Sequence, residues 1–117
     1  MSIDLKTRQV EEVSVVDVAG KITLGDGTSA LRNLLQELVA AGHKKILLNL
    51  QDVTYIDSAG IGELVSGYTS LTNQGGTLKL LGLTNRIKDL LQITKLYTVF
   101  DVHETESHAV RSFAAAG

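Results

Sequence analysis

The sequence contains no cysteine and no tryptophan, and aromatic residues make up only 4% of its 117 residues. Without cysteine, the chain has neither a disulfide framework nor a thiolate metal site. So small an aromatic content also argues against a platform on which nucleic-acid bases would stack. The absence of cysteine suits a reducing compartment, and we therefore expect a cytoplasmic protein.

Long apolar runs and a surplus of one charge are missing as well. Residues 1–6 (MSIDLK) lack the apolar stretch of a secretory signal, and no run approaches the roughly 18 apolar residues of a membrane span. The net charge is −2 with the signs interspersed, and only Lys44 and Lys45 come near a basic cluster. We therefore expect neither nucleic acid nor a membrane as a partner.

The chain has the length and composition of one globular domain, with 44% hydrophobic and 21% charged residues. We expect a single domain over residues 1–117, with residues 114–117 (AAAG) as a frayed tail. No internal repeat or linker divides the sequence.

Apolar periodicity gives the order of the secondary-structure elements. Residues 3–7 and 13–18 have strand composition and predict a β-hairpin that ends at Gly20, with a polar break over residues 9–12. Strands are also predicted over residues 46–50, 77–83 and 97–102. Helical spacing predicts four helices with these apolar positions: Leu31, Leu34, Leu35, Leu38 and Val39; Ile61, Leu64, Val65, Tyr68 and Leu71; Ile87, Leu90 and Leu91; and Ala109, Val110 and Phe113.

Two helix ends have recognisable signals. Thr28 or Ser29 is predicted to cap the first helix, and Gly42 is predicted to lie just beyond its last turn. The resulting order is β-β-α-β-α-β-α-β-α. The opening hairpin requires one antiparallel pair, and the alternating elements imply parallel pairs. The fold class is therefore α/β, with a mixed sheet of about five strands covered by about four helices.

Residues 52–62 (DVTYIDSAGIG) join a buried strand to the second helix. Asp57 and Ser58 would stand at the N-terminus of that helix, where backbone amides lack intrahelical partners and the helix dipole is positive. Gly60 and Gly62 would leave this backbone open, so a phosphate on Ser58 could be accommodated. The residues alone also allow a purely structural interpretation, in which Asp57 or Ser58 caps the helix and the glycines permit close packing on the sheet.

Residues 49–62 (NLQDVTYIDSAGIG) closely resemble the core motif of STAS domains, in particular the bacterial anti-sigma factor antagonists. The likeness continues through Gly75 and Gly76, which precede a predicted strand. It extends further through residues 87–91 (IKDLL), which lead to residues 94–96 (TKL). It covers nearly the whole chain, and the predicted order of elements agrees with that fold.

The resemblance implies a non-enzymatic, phosphorylatable binding protein in a bacterial partner-switching pathway of signal transduction and transcription regulation. Unphosphorylated, it would sequester an anti-sigma factor serine kinase, an ATP-binding protein of the GHKL type. Phosphorylation of Ser58 would release that kinase, and a metal-dependent serine phosphatase would reverse the modification. No cofactor or bound metal is expected.

The resemblance also implies a partner-binding surface around the modified serine. In the family an acidic residue often follows the glycine that ends the second strand; counted from Gly20, that position holds Thr23, and Asp26 is the acidic residue nearby. The expected partner-binding residues, some from the serine motif and some from the loop of residues 23–26, are Asp57, Ser58, Ala59, Gly60, Thr23 and Asp26.

Enzymatic readings fit the sequence less well. A serine hydrolase would need a glycine two residues before Ser58, where Ile56 stands. None of the three histidines has the context of a catalytic base, and each is expected at the surface: His43, His103 and His108. A dinucleotide loop beginning at Gly60 would need a third glycine where Val65 stands.

Three signalling alternatives remain open at the level of sequence. A receiver domain phosphorylated on aspartate has a similar size, but it opens β-α with an acidic pair, whereas this chain is predicted to open β-β. A STAS scaffold would use the same fold with Ser58 never modified. A partner-switch regulator would act in the same way on an output other than a sigma factor.

Overall fold

The computed structural model describes residues 3–116, with side chains described for residues 3–114. Five strands and four helices follow one another in the predicted order, which confirms the α/β fold class. They are β1 (Ile3–Val10), β2 (Val13–Ile22), α1 (Asp26–Ala40), β3 (Lys45–Ile56), α2 (Ser58–Asn73), β4 (Thr77–Leu81), α3 (Asn85–Ile93), β5 (Val102–His103) and α4 (Glu106–Ala116).

The five strands form one mixed sheet in the order β1-β2-β3-β4-β5. β1 pairs antiparallel with β2, as the predicted hairpin requires, and the three remaining pairs are parallel. The central strand β3 lies beside β2 at Val16↔Leu48 and beside β4 at Leu48↔Leu80. The prediction of a mixed sheet is confirmed.

Helices cover both faces of the sheet, and alternate residues of the central strands point to opposite sides. One face carries Val16 and Leu48 and packs against α1, α2 and α3. The other carries Val15 and Leu47 and packs against α4, including the buried Phe113. Burying an apolar side chain of this size contributes about 1.5–3 kcal/mol. This double burial explains why the run over residues 46–50 contains four apolar residues among five.

β2 and β3 both extend further at their C-terminal ends than the sequence predicts. β2 continues past Gly20 to Ile22, and β3 continues past Leu50 to Ile56. The two extensions pair with each other, at Lys21↔Tyr55 and Ile22↔Ile56, with irregular register between Asp17 and Lys21. Local composition did not reveal this pairing because it joins segments far apart in sequence.

Other boundaries also differ from the prediction. β1 reaches Val10, which pairs with Val13 and leaves a tight turn in which Glu11 has φ 56°. The strand predicted over 77–83 ends at Leu81. The strand predicted over 97–102 is wrong for most of its length, since only Val102 and His103 pair with β4.

The helix ends give mixed results. The prediction that Thr28 or Ser29 caps α1 is wrong: Gly25 is the N-cap, and Thr28 lies one turn in, where its Oγ1 accepts a hydrogen bond from the Gly25 amide at 3.3 Å. Gly42, with φ 92°, does follow the last turn of α1, as predicted. α4 continues to Ala116, and Gly117 lies outside the described residues, so fraying of residues 114–117 stays a prediction.

Candidate functional site

The site lies at the junction between the end of β3 and the start of α2. β3 ends at Ile56, and Asp57 is the N-cap of α2 in an extended conformation. Its Oδ1 accepts a hydrogen bond from the Gly60 amide at 2.8 Å, and its carbonyl accepts one from the Ile61 amide at 3.0 Å. The Asp57 side chain thus satisfies the Gly60 amide, one of the amides at the helix start that have no intrahelical partner. The capping interpretation of this aspartate is correct at the level of geometry.

The second carboxylate oxygen of Asp57 reaches across to the β2–α1 loop. Oδ2 accepts a hydrogen bond from the Leu24 amide at 3.2 Å, and the Asp57 amide donates to the Ile22 carbonyl at 3.4 Å. These contacts tie the loop to the first turn of α2. The hydrogen bond from Gly60, assisted by the one from Leu24, outweighs desolvation and lowers the pKa of Asp57 below its ordinary value. The group therefore carries a negative charge at neutral pH.

Ser58 is the first residue of α2, and its side chain is exposed. Within the described part of the chain, its hydroxyl makes no hydrogen bond, in contrast to the capping carboxylate next to it. Ala59 follows and is half-buried. The hydroxyl is therefore accessible to another protein, and a group attached to it would project from the surface.

Gly60 and Gly62 have different roles. A Cβ at Gly60 would lie 2.2 Å from the Ile22 carbonyl oxygen and 2.6 Å from Ile56 Cγ1, so only glycine lets α2 approach the end of β2 this closely. A Cβ at Gly62 would meet nothing within 4 Å. Gly60 is buried, so it shapes the site from beneath, and its expected part in partner binding stays a prediction.

The β2–α1 loop supplies the other expected residues. Thr23 is half-buried, and its carbonyl accepts a hydrogen bond from the Thr28 amide at 3.1 Å. Asp26 is exposed as the first residue of α1. The structure thus brings this loop, through Leu24, into direct contact with Asp57.

The model of the STAS domain family matches residues 4–109 of this chain. The chain belongs to the STAS domain family. This STAS domain is 34% identical, over 102 residues, to the anti-sigma-B factor antagonist of Bacillus subtilis (strain 168), with 87% of this chain and 92% of the relative covered. The family resemblance stated from residues 49–62 is therefore confirmed.

Solved structures share the fold of this STAS domain at lower sequence identity. An anti-sigma factor antagonist from Mycobacterium paratuberculosis superposes with a TM-score of 0.81 at 22% identity, covering 95% of this chain and 93% of the other. The Bacillus cell fate determinant SpoIIAA in its phosphorylated form superposes with a TM-score of 0.72 at 18% identity, covering 94% and 99%. Likeness at this level of identity establishes the common fold.

Two residues near the site were not singled out from the sequence of this STAS domain. Leu24 is 78% exposed at the tip of the β2–α1 loop, and its only signal was an apolar residue before the turn sequence Gly-Asp-Gly. Arg86, at the start of α3, donates from Nε to the Ile56 carbonyl at 3.1 Å and stacks over the ring of Tyr55. No sequence pattern marked Arg86, because only the tertiary fold brings it to this end of β3.

One histidine departs from the expected surface position. His103 is largely covered, with Nε2 3.2 Å from Asp101 Oδ1 and its ring edge-on to His108. It lies in β5, whereas Ser58 begins α2, and nothing in the described structure links this histidine to the serine as a catalytic base. No described helix combines the length and apolar character needed to cross a bilayer.

Proposed function

We propose that this STAS domain is a cytoplasmic anti-sigma factor antagonist, a binding protein and not an enzyme, whose affinity for its partner is set by phosphorylation of Ser58. The observation that carries the proposal is the exposed, unbonded hydroxyl of Ser58 at the first position of α2, next to the capping carboxylate of Asp57. The name of the Bacillus subtilis relative, at 34% identity over most of both chains, supports the same function.

The proposed partner surface has an apolar contact beside the serine. We call this surface the switch face and define it by Thr23, Leu24, Asp26, Asp57, Ser58 and Ala59. Leu24 is 78% exposed on a loop that Asp57 holds in place, so its burial by a partner would require little further ordering of the backbone. Gly60 contributes by setting how close α2 lies to β2.

The partner that we propose for this surface is an anti-sigma factor serine kinase of the ATP-binding GHKL type. In the unphosphorylated state the kinase packs over Leu24 and the small, neutral Ser58 side chain. In the transfer step, Ser58 Oγ forms a bond to the γ-phosphorus of ATP, the bond from that phosphorus to ADP breaks, and the serine proton passes to a base of the kinase. A metal-dependent serine phosphatase would return the hydroxyl by hydrolysis.

Phosphorylation would weaken binding by charge and bulk. The phosphate adds roughly −1.5 to −2 charges at neutral pH, beside an Asp57 that is already ionised. Desolvating both groups at a contact is costly, whereas the exposed helix start can carry the added charge without unfolding. SpoIIAA, which shares this fold, is known in both phosphorylated and unphosphorylated forms, which is consistent with a local effect.

Phosphotransfer in vitro tests the proposal. The purified domain is incubated with a candidate anti-sigma factor kinase and ATP, and the modified residue is found by mass spectrometry. We expect one phosphate on Ser58, none on the Ser58→Ala variant, and unchanged modification of Ser107→Ala, which removes an exposed serine from the first turn of α4.

The same sample separates the rival chemistries. A serine phosphate survives hydroxylamine, whereas an aspartyl phosphate, such as a receiver-like domain would form, does not. A phosphate that disappears on hydroxylamine treatment, or one found on a residue other than Ser58, would contradict the proposal. Loss of the phosphate on incubation with a metal-dependent serine phosphatase is the expected reverse step.

A further inference from the structure

Arg86 is fixed at the same end of β3 as Ser58. Its Nε donates to the Ile56 carbonyl at 3.1 Å, and its guanidinium carbon lies 4.1 Å from the centre of the Tyr55 ring. Tyr55 and Ile56 are the last two residues of β3, and Ser58 follows two positions later. A hydrogen bond and a stacking contact together restrict a side chain that would otherwise sample many rotamers at the surface.

Helix stability does not explain a cation at this position. Arg86 is the second residue of α3, where the positive end of the helix dipole favours carboxylates and disfavours cations. Ion pairing does not explain it either: Arg8 and Arg32 each pair with a carboxylate, whereas no described Asp or Glu lies within ion-pair distance of Arg86. The charge of Arg86 is thus uncompensated over the described part of the chain.

The guanidinium also retains free donors. Only Nε is used, on the Ile56 carbonyl, and neither terminal amino group of Arg86 donates to a described residue. A guanidinium presents its amino groups as a planar fork that matches two oxygens of a phosphate. Ile56 and Ser58 lie two positions apart, and two residues span at most about 7 Å, so the Ile56 carbonyl that holds Arg86 lies close to the Ser58 side chain.

We infer that Arg86 is a positioning residue that binds the phosphate on Ser58, an inference that rests on the proposed function. The pairing holds the phosphate against the switch face and keeps it in the doubly charged form. The terminal amino groups donate to two phosphate oxygens, while Nε stays on the Ile56 carbonyl. Arg86 thereby increases the difference in charge at Ser58 between the phosphorylated and unphosphorylated states. It takes no part in the transfer step.

The second ionisation of the phosphate provides a direct test. Phosphoserine is installed at position 58 of the full chain by genetic code expansion, and its second pKa, ordinarily about 6, is measured by phosphorus NMR titration without any partner. We expect Arg86→Gln to raise this pKa by about 0.5–1 unit, since an adjacent cation favours the dianion. Lys88→Gln removes another exposed cation of α3 and is expected to leave it unchanged.

A second variant and two contrary outcomes make the inference about Arg86 falsifiable. A second variant, Arg86→Ala, also removes the stacking on Tyr55 and is expected to give the same rise, which guards against a local defect of the glutamine variant. Equal pKa values for the unsubstituted, Arg86 and Lys88 proteins would overturn the inference while leaving phosphorylation of Ser58 intact. Failure of a kinase to modify Ser58 would instead refute the proposed function, since the installed phosphoserine needs no kinase.

Discussion

Asp57 Oδ2 accepts a hydrogen bond from the Leu24 amide at 3.2 Å, across 33 residues of sequence. The carboxylate beside Ser58 therefore also holds the loop that exposes an apolar side chain. Because the same carboxylate caps α2 through the Gly60 amide, the loop and the helix start form one hydrogen-bonded unit. A partner would meet Leu24 and Ser58 in a fixed relative position, and changes at Asp57 would act on both.

Substitution of Asp57 should cost stability as well as binding. Asp57→Ala removes the acceptor for the Leu24 and Gly60 amides, and we expect a loss of about 1–2 kcal/mol in the free energy of unfolding. Asp57→Asn keeps one carbonyl acceptor, so its free energy of unfolding should fall by less than that of Asp57→Ala. Thr84→Ala, which removes the N-cap of α3, is the matched control and should cost about 1 kcal/mol. Urea unfolding measures all three, and an unchanged midpoint for Asp57→Ala would contradict the capping role.

Alanine substitutions at Gly60 and Gly62 should change the stability of the fold in opposite directions. Gly60→Ala forces a Cβ against the Ile22 carbonyl and should destabilise the fold by about 1–3 kcal/mol or more. Gly62→Ala meets open space within α2 and should stabilise it by about 0.5–1 kcal/mol. Thermal unfolding of the two variants provides the comparison. A Gly60→Ala protein as stable as Gly62→Ala would show that α2 does not approach β2 as closely as described.

Leu24 should contribute to partner affinity and little to the fold. Because its side chain is 78% exposed, Leu24→Ala should leave the free energy of unfolding within about 0.5 kcal/mol. It should nevertheless weaken kinase binding by about tenfold if Leu24 is buried in the complex. Ile93→Ala truncates an equally exposed residue, at 76%, at the far end of α3 and is the control. Equal affinities of the two variants would place Leu24 outside the interface.

Arg8 should make stability depend on pH. It pairs with Asp17 at 2.7 Å and Glu106 at 2.6 Å, and joins β1, β2 and α4. Its hydrogen bonds lower the pKa of both carboxyl groups, so the stabilisation is present above their ordinary values, about 4, and is lost as pH falls through the lowered ones.

The expected effect of Arg8→Ala is modest because the pair is partly exposed to solvent. We expect a loss of about 1 kcal/mol near neutral pH. The difference from the unsubstituted protein should shrink in acid, as the carboxylates become protonated. Lys6 lies on the same face of β1 and makes no such hydrogen bond to a described residue, so Lys6→Ala should cost less stability. A loss for Arg8→Ala that stayed constant from neutral to acid pH would exclude the ion pairs as its cause.

Much of the fold could be predicted because local apolar periodicity is strong. The helix periodicities and the doubly buried run over residues 46–50 gave the element order, and the family motif located the junction at Asp57 and Ser58. In these segments, local preference and tertiary burial favour the same structure.

The remaining features depend on contacts that sequence distance conceals. Residues 51–56 form a strand only because the extended end of β2 pairs with them. β5 is short because it pairs with only two residues of β4, Leu80 and Leu81. Gly25 caps α1 where a serine or threonine was expected, since the side chain of Thr28 bonds back to the Gly25 amide. Arg86 reaches the site from a separate helix.

The central claim is that a phosphate on Ser58 causes a bound protein to dissociate. Calorimetric titration of the domain with the kinase tests this claim most directly. Unmodified protein and Ser58→Ala should bind with similar affinity, whereas Ser58→Asp and the phosphoprotein should bind at least about tenfold more weakly. Circular dichroism of each form should show the same fold. Equal affinity of the kinase for Ser58→Ala, Ser58→Asp and the phosphoprotein would contradict the account.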